Sequence, residues 1–547
     1  MVNNRYVRFQ NYGKGDAAMK KFNTTAVCIP SMHYMVDLTE RVAEIRKMID
    51  AGEYFTINRA RQYGKTTTLA ALQRALKDQY VVLNLSFARI THANFETEQS
   101  FVKSFCRLFK KNQVLYRSIP EPIKEQFEDY LSRKKEKAEM DELFLTLGEW
   151  CEISERPIVL FVDEVDSATN NQVFLDFLAL LRDEYISRGI ANASTFQSVV
   201  LAGVTDVKHL KRKIRPDDEH KVNSPWNIAA DFKVDMSLSE TGIKGMLDEY
   251  EADHHTGMDT AAIAKEIREY TNGYPFLVSR ICQLMDEDVS KRFGSDAKAW
   301  TKAGMNEAIK MLLAENNTLF QSVTGKLYNY PNLRTAIRCI LMEGMKIAYN
   351  AQQDDINQML MYGLIQNDHN NVRVSNRIFE MMLYNLFLTE EELKLNIFSR
   401  AGDLEKNRFV EDGRLNMRLI LDRFIATYTE VFGPLEERFK EKDGREQYLL
   451  YLKPIINGTG NYYIDAQTRD HTRTDVIVDY LGQQYIIELK IWHGNKRHEE
   501  GEKQISEYLD YFGLTTGYML SFNFNKHKTT GVNPVHVGDK LLYEGTV

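Results

Sequence analysis

The sequence predicts an α/β protein: a parallel sheet with helices on both faces, then an all-helical stretch, a helix-and-hairpin module and a second, smaller α/β domain. Three observations predict it. Up to about residue 240, apolar runs of strand length alternate with helical patterns, as expected of parallel strands joined by crossover helices. The stretch EYFTINRARQYGKTTTLAALQRAL, residues 53–76, reads as an apolar strand, a Gly-Lys-Thr turn and a helix. Near the other end, TDVIVDY and YIIELKI read as two alternating strands that carry carboxylates, joined by LGQQ.

Taken in order, strands are expected at residues 54–58, 80–87, 157–163, 198–203 and 232–236, with long amphipathic helices between them such as residues 172–187. Residues 240–300 read as all-helical, with TNGYPFLVSRICQLM starting a helix after a Gly-Tyr-Pro turn. In residues 330–390, NLRTAIRCILMEG and DDINQMLMYGLIQ read as helices, followed by strand, polar turn, strand and helix. Helices followed by a small hairpin suggest a winged-helix module. Residues 389–412 are charged and short of apolar periodicity, which predicts a linker. A helix around residues 415–432, a second starting at Gly444 (GREQYLLYLKPIING) and the two carboxylate-bearing strands follow. The expected division is 1–240 for the sheet core, 241–325 for a helical lid, 326–392 for the winged-helix-like module and 413–547 for the small α/β domain.

A chain of 547 residues suits three or four such domains. Its 43 % apolar and 27 % charged residues are ordinary for a soluble globular protein. The net charge of −7 does not announce nucleic acid, although a local basic groove is compatible with an acidic chain. Cys28, Cys106, Cys151, Cys282 and Cys339 lie far apart without a C-x-x-C pair, which argues against a zinc site or a disulfide framework. Neither a signal-peptide core nor an apolar run of bilayer length is present in the sequence, so a soluble, cytoplasmic protein with no membrane partner is expected.

The Gly-Lys-Thr turn is the first chemical motif. A phosphate-binding loop (P-loop) needs consecutive backbone N–H groups at a helix N-terminus, a lysine for the β- and γ-phosphates and a hydroxyl for Mg²⁺. Gly64, Lys65 and Thr66 meet those needs between a strand and a helix. The motif G-x-x-x-x-G-K-[ST] also asks for glycine at position 59, where this chain has Arg59. A loop of altered shape follows, with Arg59 and Arg61 adding positive charge beside the phosphates and Gln62, Tyr63 and Thr67 completing the ATP contacts. About a hundred residues on, RPIVLFVDEVDSA places Asp163 and Glu164 at the end of a buried strand. Asp163 is placed to hold Mg²⁺, and Glu164 to polarise the attacking water. Helix capping by the two acids is the plainer alternative. A third polar strand tip, SVVLAGVTD, offers Thr205 and Asp206, with Thr205 placed to sense the γ-phosphate. The basic stretch KHLKRKIRPDDEHK, residues 208–221, follows it. It is either a solvated loop or a contact for DNA, or it carries an arginine such as Arg215 to a neighbour's nucleotide in a homo-oligomer.

Together NRARQYGKTTTL, LFVDEVDS and SPWNIAADFKVDMSLS resemble bacterial AAA-ATPase-like proteins, whose P-loops lack the first glycine and whose members commonly end in a PD-(D/E)XK nuclease domain. The resemblance spans most of the chain, and residues 224–228 (SPWNI) are among its most specific parts. The TNGYPFL segment resembles the helical lid of STAND-type and archaeal ATPases. The resemblance implies an ATPase core plus lid over the first 300 residues. It links such proteins to defence or mobile elements by association only.

The C-terminal carboxylates carry the second chemistry. Asp475 stands near the start of one strand; Glu488 and Lys490, two apart on the next, leave the same face. Two carboxylates can hold one or two Mg²⁺ ions that activate water against a phosphodiester, and a lysine can position that water. Glu446 upstream offers one more oxygen, and Gln504 on the helix KQISEYLDYF is placed to brace the lysine or the substrate. Lys496, Arg497 and His498 are placed to meet a phosphate backbone. This resembles the PD-(D/E)XK signature at Asp475, the E-L-K triplet and Gln504, with Glu446 as the first-helix acid, although Thr474 stands where proline is common. The bland alternative makes E-L-K the solvated face of an amphipathic strand. The leading expectation is therefore an ATP-binding, ATP-hydrolysing protein with a Mg²⁺-dependent DNA endonuclease domain. A nucleotide-switched scaffold with an inactive nuclease-like domain, or an oligomerising signalling ATPase, stands against it.

Overall fold

Four short apolar segments, β1 Phe55–Asn58, β2 Val81–Ser86, β3 Ile158–Asp163 and β4 Ser198–Gly203, pair in parallel in the order β1-β4-β3-β2. They belong to a computed structural model that describes residues 19–133, 138–169, 171–191, 193–204, 207, 226–343, 345–394, 396–432, 441–457, 459–467, 473–491, 495–523 and 529–547. Both faces of the sheet are covered, which is why β3 and β4 are mostly apolar and buried throughout. Val159 and Phe161 turn to one side, against Ile45, Ile49, Leu69 and Leu72. Ile158, Leu160 and Val162 turn to the other, where Phe105, Trp150, Phe174 and Phe177 close the core. The helix that follows β1, α1 Lys65–Leu76, belongs to the first layer.

The strand expected at residues 232–236 does not form. The chain touches β1 just before this segment, through an isolated bridge of Phe55 to Ala230. It then leaves the sheet because its Val234 carbonyl is taken by the Arg59 guanidinium at 2.9 Å, while Phe232 stacks on Phe55 at 5.8 Å. Trp226, within the SPWNI segment, is fully buried and donates its indole N–H to Thr56 Oγ1 at 2.8 Å, so it pins this return to β1.

Two helices of the expected lid, Glu240–His254 and Thr260–Thr271, are followed by α2 Pro275–Leu284. The turn between the last two places Asn272 and Gly273 in the left-handed region, φ +48° and +67°. Proline then opens α2 at its first position, where it suits the helix. Gly273 is needed twice over, because a Cβ there would meet the Leu238 carbonyl oxygen at 2.2 Å. Gly273→Ala is expected to cost about 3 kcal/mol or more from the clash and the positive φ together. A shift of the thermal midpoint of under 1 °C would show that the turn yields instead.

Helices Lys302–Ala314, α3 Thr318–Asn329, Pro331–Glu343 and Asp354–Met361 come next, then the hairpin β5 Ile365–Asp368 and β6 Asn371–Val374, then α4 Arg377–Glu392. This is the order of elements expected for residues 330–390. The expected linker at 389–412 is structured. It contains the end of α4, a helix at Ile397–Glu405 and the start of a small hairpin. Two aromatics in a charged stretch account for the difference. Phe398 and Phe409 are buried, Phe398 against Phe424, Tyr428 and Phe432. Gly402 lets this helix close on the helix Glu441–Ile456, since a Cβ there would lie 2.1 Å from the Tyr451 carbonyl oxygen.

After the helix Met417–Phe432 and α5 Glu441–Ile456 comes a six-stranded sheet: β7 Gly460–Gln467, β8 Arg473–Tyr480, β9 Gln483–Ile491, β10 Thr516–Phe522, β11 Gly531–Val537 and β12 Lys540–Thr546, in the order β7-β8-β9-β10-β12-β11. The first three strands are antiparallel neighbours, and β9 and β10 pair in parallel across α6 Asn495–Phe512. The turn of Leu481 and Gly482, φ +49° and +81°, joins β8 to β9. One apolar core runs from Phe22 through the lid and the hairpin module into this sheet. Across it, Tyr270 O–H donates to the buried Asp479 carboxylate at 2.9 Å, and burial raises that carboxyl above the usual carboxylate range. Lys453 of α5 likewise bonds Thr389 at 2.7 Å and pairs with Glu392 of α4. The C-terminal domain therefore shares its core with the lid and hairpin modules.

Candidate functional site

The Gly-Lys-Thr turn stands at the end of β1, where Gly64 takes φ +78° and α1 begins at Lys65. A cleft of about 640 Å³ opens here, lined by loop residues 61–67, by Asp163, Glu164 and Asp166 beyond β3, and by Thr318. Thr66 Oγ1 donates to Asp163 Oδ2 at 2.7 Å, so the two groups expected to share Mg²⁺ are already together. A hydroxyl and a carboxylate from two rigid elements suit Mg²⁺, which keeps most of its water. Thr67, which also lines the cleft, accepts a hydrogen bond from the Cys28 N–H at 3.2 Å, which brings the N-terminal segment over the start of α1.

Lys65 is mostly buried, and its ammonium donates to the carbonyls of Arg59 and Ala60, both at 2.8 Å. Burial pulls its pKa down to about 8, against the attraction of Asp166, Asp163 and Glu164. A cation held on two neutral carbonyls, with these carboxylates across the cleft, is placed to meet phosphate. Glu164 takes the left-handed conformation, φ +56°, as the chain turns out of β3; its N–H donates to Asp163 Oδ1 at 2.9 Å. Ser86 at the end of β2 donates to its carboxylate at 3.4 Å. Glu164 therefore leads into a short helical turn without a side-chain cap bond and faces the cleft.

Arg59 departs from expectation. Its guanidinium donates to the Asn58 and Val234 carbonyls at 2.8 and 2.9 Å and lies over the Phe232 ring at 5.3 Å. It braces the edge of the sheet and does not line the cleft, whereas Arg61 does. Gln62 and Tyr63 line the cleft and also reach outward, Gln62 to Thr318 and Tyr63 to the ring of Tyr274. Asp166 was not singled out from the sequence. Its two carboxylate oxygens accept from the Val204 N–H at 2.8 and 3.0 Å and fix the tip of β4 beside the cleft. A third acid, three residues after Asp163, is the available signal. Thr205, Asp206, Arg215 and the whole of 208–221 lie outside the described residues.

The C-terminal carboxylates fall on neighbouring strands. Val476 pairs with Ile487 at the end of this antiparallel ladder, and Asp475 and Glu488 are the residues next to that pair on the two strands. The Asp475 side chain, and those of Lys496, Arg497 and His498, lie outside the described residues. Glu488 is 1 % exposed. A carboxylate so buried is not the solvated face of an amphipathic strand, the alternative the spacing had left open. It pairs with Lys490 Nζ at 2.8 Å, and Lys490 donates to Gln504 Oε1 at 3.3 Å. Gln504 in turn donates to the Tyr508 hydroxyl at 3.1 Å. Gly501 of α6 lies against the lysine stem, where a Cβ would sit 3.5 Å from Lys490 Cε. Glu446 on α5 is placed differently from expectation, in an ion pair with Arg338 at 2.8 Å; that arginine also reaches Glu391. Among the described residues no group of three acid, histidine or cysteine side chains stands ready for a metal. No described helix is long and apolar enough to cross a membrane.

Comparison with known proteins gives no match among curated sequences. Among solved structures, the Walker-type ATPase of Pyrococcus abyssi is 12 % identical, with a TM-score of 0.45 over 67 % of this chain and 99 % of that one. Cdc6p from Pyrobaculum aerophilum is 13 % identical, TM-score 0.31, over 64 % and 94 % of the two chains. The RuvB Holliday junction branch migration motor of Thermotoga maritima is 13 % identical, TM-score 0.30, over 62 % and 92 %. The family model of the AAA-like domain matches residues 23–388, most of the chain and all of the cleft described above, and the chain belongs to that family.

Proposed function

We propose that the protein binds and hydrolyses ATP in the cleft beside Lys65, and that its C-terminal domain is a Mg²⁺-dependent DNA endonuclease of PD-(D/E)XK type. The observation that carries the first half is the meeting of Thr66 with Asp163, with Glu164 next to them and the Lys65 ammonium held on the loop carbonyls of Arg59 and Ala60. Mg²⁺ held by Thr66 and Asp163 would neutralise charge on the β- and γ-phosphates. Glu164 would take the proton of the attacking water, and Lys65 would turn from the loop carbonyls to the phosphates. Glu164→Gln keeps the shape and removes the base. It is expected to retain ATP affinity within about twofold and to lose about a hundredfold or more in turnover. A steady-state ATPase assay paired with calorimetry checks this, and unchanged turnover would remove Glu164 from the chemistry.

The second half is supported by Glu488, a buried acid on the strand paired with that of Asp475 and coupled to Lys490 and, through it, Gln504. Asp475 and Glu488 would hold the metal, which supplies the activated water, while Lys490, braced by Gln504, would orient it. The direct test is purified protein with Mg²⁺ or Mn²⁺ on linear, nicked and single-stranded DNA, with and without ATP. One observation favours a second reading. The engagement of Glu446 by Arg338 suits a domain that serves as a nucleotide-switched platform for DNA or protein without cutting. No cleavage of any DNA form, together with intact ATP turnover, would select that reading.

A further inference from the structure

The phosphate loop lacks the glycine that normally opens it, and other residues hold its shape. Gln62 sits at φ +57°, a region that side chains enter at a cost. The residues around it are gripped from outside the sheet. The buried Tyr274 hydroxyl donates to the Arg61 carbonyl, and the Tyr274 ring meets that of Tyr63 edge-on at 4.7 Å. Thr318, the first residue of α3, accepts from Gln62 Nε2 at 3.1 Å, while Gln62 Oε1 is buried without a partner. Gly363, before β5, comes so near Ala60 that a Cβ would lie 2.8 Å from the alanine methyl. The three gripping residues come from the turn before α2, the start of α3 and the approach to the β5–β6 hairpin.

We propose that Tyr274 and Thr318 are positioning residues that impose the phosphate-binding form on a loop unable to reach it by glycine freedom. The loop is then set for the nucleotide only while the lid and helical modules are docked against it. This rests on reading the cleft as an ATP site. Linkage makes the effect reciprocal: a nucleotide that needs this loop form favours the docked arrangement by the same factor.

The test uses the full chain with Tyr274→Phe, Thr318→Val, Gln62→Gly and the double variants Gln62→Gly/Tyr274→Phe and Gln62→Gly/Thr318→Val. ATP affinity is read by calorimetry, and amide hydrogen exchange of residues 60–66 is read in the nucleotide-free protein. Tyr274→Phe keeps the ring and loses only the hydroxyl. It is expected to weaken ATP binding about tenfold and to speed exchange across the loop, with Thr318→Val acting in the same direction but less. Glycine at position 62 adopts positive φ freely, so in that background the Tyr274→Phe penalty should fall below about threefold. A residue that merely stabilises the fold would carry the same penalty in both backgrounds, and that result overturns the proposal. So does wild-type affinity and exchange in both single variants. Should the wild type take up no ATP, the reading of the cleft fails, while exchange in the nucleotide-free loop still supports or overturns the clamp.

Discussion

Lys65→Ala is expected to weaken ATP binding about a hundredfold, on the order of 3 kcal/mol, the scale of a charge-assisted hydrogen bond in a partly dry site. The side chain already stands at the loop, so the loss falls on the phosphates and little on the fold. In the free protein its ammonium is buried, and its pKa of about 8 lies below the ordinary lysine value. The sign of the pH dependence follows. A lysine whose pKa is depressed on folding costs stability while protonated, and that cost is relieved as pH rises from about 8 to the unfolded value near 10.5. Phosphate favours the charged form, so above pH 8 ATP binding should take up a proton and weaken as pH rises. Calorimetry in buffers of different ionisation enthalpy measures that uptake. Lys65→Ala should abolish it along with most of the affinity. Equal affinity in wild type and variant would remove the cleft from phosphate binding altogether.

The parts of this site that could be read in the sequence are those set by a few neighbouring residues. A strand, Gly64, Lys65 and Thr66, and an apolar run ending in Asp163 and Glu164, are local patterns, and the structure brings Thr66 and Asp163 together as they imply. The destination of Arg59 could not be read, because it depends on Val234 and Phe232 returning to the edge of β1 from 175 residues away. The same holds for Tyr274 and Thr318, which look like an ordinary turn residue and an ordinary helix start. At 389–412 the charge masked two buried aromatics, and burial of Phe398 and Phe409 outweighs the composition around them. That misreading mattered for architecture. A linker would have isolated the C-terminal domain, whereas Tyr270 to Asp479 and Arg338 to Glu446 tie it to the lid and hairpin modules.

Loss of Glu488 should abolish DNA cleavage, by about a thousandfold or more, because the proposed metal would lose one of its two carboxylates and with it the activated water. The buried pair with Lys490 complicates the choice of variant. Glu488→Ala leaves the lysine without its 2.8 Å partner and opens a space where a buried side chain stood, so it costs fold stability as well. Glu488→Gln fills the same volume and still accepts from Lys490, and it is the cleaner probe: cleavage lost, thermal midpoint within about 3 °C of wild type. Lys490→Ala should also lose cleavage yet keep most Mn²⁺ binding, since lysine is not a ligand. Gln504→Leu, which releases the lysine from its brace, should lower cleavage by a smaller factor. Asp475→Asn should match Glu488→Gln in both metal affinity and cleavage, if the two carboxylates share one ion. Ca²⁺ should bind and support little cutting, because its looser, larger coordination sphere holds water less tightly than that of Mg²⁺. Glu446→Gln separates the two readings of the domain. A first-helix acid would lower cleavage on its removal, whereas a group serving only Arg338 would lower stability and leave cutting unchanged. If Glu488→Gln and Lys490→Ala both cut DNA as fast as wild type, the buried pair is structural and the C-terminal domain is a platform.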